Sequence, residues 1–144
     1  MSTSRLESVT LVGAARGPAV MHALLVLAVA FTAGIHAALV PEHLAEMPRL
    51  GDAFIVAAAA GGSVALALLL APASRRMLRL AALFLTIEIV AWVGFVTVPV
   101  PGFDGTPESV EAIAVVCKAI ELLGVLLALG LLAAPTRRRR AAAH

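Results

Sequence analysis

The sequence predicts an all-α integral membrane protein folded as an up-down four-helix bundle. Three observations carry that expectation. Of the 144 residues, 61% are hydrophobic and only 14% are charged, too little polar surface for a water-soluble domain of this length. The apolar residues fall into four runs, each close to the about 20 residues that a helix needs to cross hydrocarbon. The basic residues are segregated, with nine of the eleven Lys and Arg on one side of those runs.

The first run extends from Pro18 to Val40 and is expected to end at Pro41, because proline cannot donate to the preceding turn. It is longer than the 7–15 or so apolar residues of a secretory signal and carries His22 in its interior, which argues for a retained span. The second run covers Ala53 to Ala71, the third Met77 to Val98 and the fourth Val110 to Ala134, with Pro72, Pro99 and Pro135 just beyond them. The predicted organisation is a segment 1–17, a transmembrane domain 18–134 and a basic tail 135–144. The connections are short, and short connections make successive helices antiparallel neighbours. In the second run Ala57/Gly61 and Ala58/Gly62 are small-residue pairs one turn apart. Such pairs let another helix approach closely, either inside the bundle or in a homo-oligomer.

Arg5, Arg16, Arg75, Arg76, Arg79 and Arg137 to Arg140 share one side. The opposite side carries Arg49 against Glu42, Glu46, Asp52, Asp104, Glu108 and Glu111. The positive-inside rule then puts both termini in the cytoplasm and the acidic loops outside the cell membrane. The terminal arginines read as a topology anchor on anionic lipid head groups rather than as a nucleic-acid contact.

Two groups of ionisable residues stand out. The first is outward-facing: His36, Glu42, His43 and Glu46, in the stretch His36-Ala-Ala-Leu-Val-Pro41-Glu42-His43-Leu-Ala-Glu46. If 42–47 forms a short interfacial helix and Pro41 turns the chain, His43 folds back toward His36. Imidazole with carboxylate is then a donor set for zinc or copper(II). The alternative is a solvated acidic loop. The second group is a trio near mid-depth, Glu88, Lys118 and Glu121, with Cys117 one turn from Glu121. Charges at that depth must face inward and pair. Lys118 with either carboxylate is a packing lock, and the carboxylate in excess is free to carry a proton or hold a cation. His22 and His36, about 21 Å apart along one helix face, offer a third reading, haem ligation in a homodimer.

Taken together, His36-x6-His43-x2-Glu46 with Pro41-Glu42, Trp92, a Pro/Gly-rich outer loop, Pro107-Glu108 and Glu121 resemble a group of small four-helix integral membrane proteins of actinobacterial type. The resemblance spans roughly His36 to Leu132. It implies the four-helix fold and draws attention to the outer histidine-glutamate stretch. The group often carries an arginine between the tryptophan and the loop, where this chain has Phe95-Val96-Thr97-Val98.

No convergent Ser-His-Asp set, phosphate-binding glycine loop or redox cysteine pair is visible, so a non-enzymatic role is expected. The two main expectations are a protein that binds, senses or passes a divalent metal or a proton, and an accessory subunit of a larger membrane complex. For topology, the arginine distribution predicts that Gly105→Cys is labelled by an impermeant thiol reagent from outside whole cells and Ser74→Cys is not. Outside labelling of Ser74→Cys would reverse the orientation.

Overall fold

A computed structural model describes residues 3–71, 74–98 and 111–134, with side chains from residue 17 onward. The described chain is all helical: α1 Thr3–Glu46, α2 Pro48–Leu70, α3 Arg75–Thr97 and α4 Ala112–Ala133. Gly17–Glu46 of α1 and the whole of each other helix are long and apolar enough to cross a membrane. Pro72, Pro99, Pro135, the segment 99–110 with Asp104 and Glu108, and the tail with Arg137 to Arg140 lie outside the described residues. The side chains of Arg5 and Arg16 do as well.

Around the bundle, α1 packs on α2 and α4, while α3 packs on α4 and, less extensively, on α2. The interior core is Leu25 and Val29 of α1, Ala65 and Leu68 of α2, Leu78, Ala81 and Leu85 of α3, and Ala128 of α4. All of these come from the half of the bundle that contains the end of α2 and the start of α3. Outward positions such as Leu27, Val56, Leu69, Leu70, Leu83 and Val90 are large, apolar and exposed. Water would penalise such a surface and hydrocarbon would not. At the same end of the bundle Arg75 of α3 donates to the carbonyl of Leu132, satisfying an orphan acceptor at the end of α4. Ser74 caps α3 by accepting from the Met77 amide at 3.2 Å.

The expected break at Pro41 does not occur, and the separate interfacial helix over 42–47 is replaced by the last turns of α1. Pro41 contributes no amide donor, and the helix nevertheless continues. The His43 ring bonds the Leu39 carbonyl at 3.0 Å and stacks on Phe54 of α2, with ring centroids 4.1 Å apart. Met47 is then the single residue between α1 and α2. Its amide bonds His43 O, and its carbonyl accepts from Leu50 and Gly51. Pro48 occupies the first turn of α2, where no donor is missed.

So tight a corner demands Gly51. A Cβ there would stand 2.7 Å from the backbone nitrogen of Leu44. The small-residue pairs of α2 divide in the same way. Gly61 is buried, where a Cβ would meet Phe84 of α3 at 2.7 Å and Ala33 of α1 at 3.0 Å, whereas Gly62 faces open space. The Ala57/Gly61 pair therefore serves packing within the bundle. Gly51→Ala is expected to cost about 1–3 kcal/mol by overpacking, while Gly62→Ala should be neutral or mildly stabilising. Thermal unfolding of the detergent-solubilised variants measures both, and equal melting temperatures would remove the close approach as a constraint.

Candidate functional site

The ionisable residues regroup in the structure. His36, expected in an outer cluster, is 7% exposed and belongs to the interior. Its Nε2 lies 3.0 Å from Oε2 of Glu88 on α3, and its Nδ1 lies 2.8 Å from the carbonyl of Thr32, one turn back on α1. A carbonyl only accepts, so Nδ1 carries hydrogen. Nε2 and a carboxylate oxygen at 3.0 Å then need one further proton between them, on the imidazole or on the carboxyl. The pair therefore holds one proton beyond that of a neutral imidazole and an ionised carboxylate.

A second pair lies on α4. The Lys118 ammonium is 2.9 Å from both carboxylate oxygens of Glu121 and donates at 3.3 Å to the main-chain carbonyl of Glu88. Glu121 is fully buried and also accepts from the Cys117 thiol at 3.3 Å. The i,i+3 and i,i+4 spacings on one helix face, evident in the sequence, bring these three side chains together. The packing lock is thus Lys118 with Glu121. The Glu88 carboxylate is the one in excess, and its partner is His36. The sequence spacing carried no sign of that pairing, because it depends on where α1 stands against α3.

The outer quartet does not assemble. Glu42 and Glu46 are exposed. His36 and His43 sit seven residues apart on a continuous helix, about 10 Å along its axis. Among the described residues no three His, Cys, Asp or Glu side chains are placed to share a metal ion. The zinc or copper expectation depended on Pro41 ending the helix, and α1 continues through it. The haem expectation finds no support at His36, both of whose ring nitrogens are engaged. His22 lies in the other half of the bundle, with a buried Nε2 that has no hydrogen-bond partner among the described residues.

Above the two ion pairs is a cavity of about 130 Å³ toward the α1–α2 corner. His36, Glu88 and Lys118 line its inner part, with Phe54, Trp92 and Phe95 as aromatic walls. Glu111, at the start of α4 and exposed, also lines it. Phe54 touches both histidines, tilted on His36 at 4.9 Å and stacked on His43. Below the pairs the bundle closes. Gly124 admits Leu85 and Ala28 so closely that a Cβ there would fall 2.5 Å and 3.3 Å from them, and Leu25, Val29, Leu68 and Ala128 fill the space beneath.

Comparison with protein-family models, curated proteins and solved structures yields no match. The functional reading rests on the residues themselves.

The lock is separable from the rest of the site. Lys118→Met leaves Glu121 buried without a counter-charge and should destabilise by about 3–5 kcal/mol. Adding Glu121→Gln should recover most of that loss. Adding Glu88→Gln instead should not, because the hydrogen bond from Lys118 to Glu88 goes to its main-chain carbonyl. Unfolding in mild detergent gives the two coupling energies, and a larger coupling to Glu88 than to Glu121 would overturn the pairing.

Proposed function

We propose that this chain is a multi-pass cell-membrane protein that binds and exchanges one proton at the His36–Glu88 pair. The four helices run up and down across the bilayer with both termini cytoplasmic. Gly61 beside Ala33, Gly124 beside Ala28 and Leu85, and Glu88 beside Lys118 support that helix order. The arginine distribution supports the orientation. In this orientation the cavity opens outward, and the leucine-rich core separates the site from the cytoplasm. The protein then senses or loads a proton from outside, and passing it inward requires the core to rearrange.

The observation that carries this reading is the 3.0 Å contact between Nε2 and Oε2. With its proton present, the two pairs together are neutral, two carboxylates being balanced by Lys118 and that proton. Without it, the site carries one uncompensated negative charge in an apolar interior, and a proton or another cation must restore the balance. Imidazole ordinarily titrates near physiological pH, so a His-carboxylate pair is a suitable exchangeable store.

The accessory-subunit reading draws on a different observation. Gly62 and the neighbouring Ala59, Ala60 and Ser63 are exposed on α2, a surface another membrane helix could approach closely. Purification in mild detergent as a larger stable complex would favour it.

Glu88→Gln tests the proton site directly. The amide keeps the size of the carboxyl and supplies its own N–H to Nε2, so the hydrogen bond survives and the exchangeable proton does not. Potentiometric titration of purified protein should show one fewer proton exchanged in the variant. The imidazole nitrogen resonances of His36 should change over a different pH range from wild type. Identical proton counts and histidine spectra in wild type and variant would remove the proposal.

A further inference from the structure

Building on the proton site, we infer that the outward cavity binds a small organic cation, a primary ammonium on a single-ring apolar body, which takes the place of the His36–Glu88 proton. Four observations converge on this class of ligand. The first is size: an apolar cavity of roughly 150 Å³ is filled by benzene, and this one measures about 130 Å³, on the scale of one ring. The second is the wall. The chain has one Trp, five Phe and no Tyr, yet that Trp and two of the Phe, Trp92, Phe54 and Phe95, line this one cavity. Aromatic faces attract both a ring and a positive charge.

The third is the charge at the floor. The Lys118 ammonium donates to Oε1 of Glu121 and to the carbonyl of Glu88, and stands 2.9 Å from Oε2 of Glu121 as an ion pair. Its charge is spent on Glu121. The one charge that can be exchanged is the proton between His36 and Glu88. An arriving ammonium donates one N–H to the Glu88 carboxylate and one to the freed Nε2 of His36, and the displaced proton leaves through the open mouth. The only bond broken is the N–H or O–H that holds the shared proton, water or buffer outside takes that proton, and the site is neutral before and after. The fourth is the approach. Among the described residues at this end, Glu42, Glu46, Asp52 and Glu111 are exposed against the single Arg49, a field that gathers cations.

Proton and ammonium therefore compete. The titratable groups facing the cavity are His36 and His43 from α1, Glu88 from α3, and Glu111, Cys117 and Lys118 from α4, with Glu121 behind Lys118, while α2 contributes Leu50, Ala53, Phe54 and Ala57. Among these only the His36–Glu88 proton stands where the ammonium would go.

The test is calorimetric titration of the full chain in detergent with benzylammonium, using benzyl alcohol as the uncharged control of the same shape, in two buffers of different ionisation enthalpy. The expected result is saturable benzylammonium binding with about one proton released per site. Affinity should fall about tenfold for each pH unit of acidification while the pair holds its proton. Glu88→Gln should weaken binding at least tenfold, and Trp92→Leu should weaken it without altering the proton released. Equal affinity for benzyl alcohol, or binding with no proton release, would overturn the inference using wild-type protein alone, whether or not the variants fold. If the pair titrates as proposed and benzylammonium does not bind, the inference fails and the proton site stands. If the pair does not titrate, both fall.

Discussion

A charged group in an apolar interior must be neutralised where it stands, and that requirement organises this protein. Two carboxyl groups, one ammonium and one imidazole, from α1, α3 and α4, come to similar depth among leucine, valine and alanine. Their positions are set by pairing: Glu121 with Lys118, Glu88 with His36. Each ion taken from water into such surroundings costs several kcal/mol, and only close, well-directed partners offset it. The helix contacts follow from the need to bring those partners within about 3 Å. α1 passes through Pro41 without turning, which keeps His36 and His43 on one helix face. The tight corner at Met47 and Gly51 sets Phe54 against both histidines.

The two pairs share a chemistry and differ in what can change. Lys118 and Glu121 are three residues apart on one helix, so their proximity is local and survives any movement between helices. Cys117 and the Glu88 carbonyl complete their hydrogen bonds. His36 and Glu88 come from different helices, and their contact depends on one shared proton. The Lys118–Glu121 pair is thus held within one helix, and the His36–Glu88 pair joins two.

The interior is divided along its length as well. One half is a dry aliphatic core without a titratable group in its hydrophobic cluster. The other is a cavity with aromatic walls and the ion pairs at its base. Gly124 lies at the boundary, where the absence of a side chain lets Leu85 and Ala28 close the floor one turn below Glu121. Access to the site is consequently one-sided in this structure. Among the described residues Glu42, Glu46, Asp52 and Glu111 are exposed at the cavity end and Arg75, Arg76 and Arg79 at the other.

Hydropathy and composition determined the four helices, and their bounds agree with the apolar runs to within a few residues except in α1. They do so because burying or solvating about 20 consecutive apolar side chains is decided by the run itself. The Lys118–Glu121–Cys117 cluster was likewise legible, since helical periodicity alone puts residues three and four apart on one face. What the tertiary structure decided was everything that joins separate helices. Proline next to a span suggested a helix end, and α1 instead runs on to Glu46, with His43 stacked on Phe54 and the corner at Gly51 following it. The outer quartet, adjacent in sequence, is thereby spread along one helix. His36 and Glu88, 52 positions apart, meet because the packing of α1 beside α4, and of α4 beside α3, aligns their depths. Sequence spacing reports neighbours on one helix; which faces of different helices meet is set by side-chain packing summed over the whole bundle, and no local pattern encodes it.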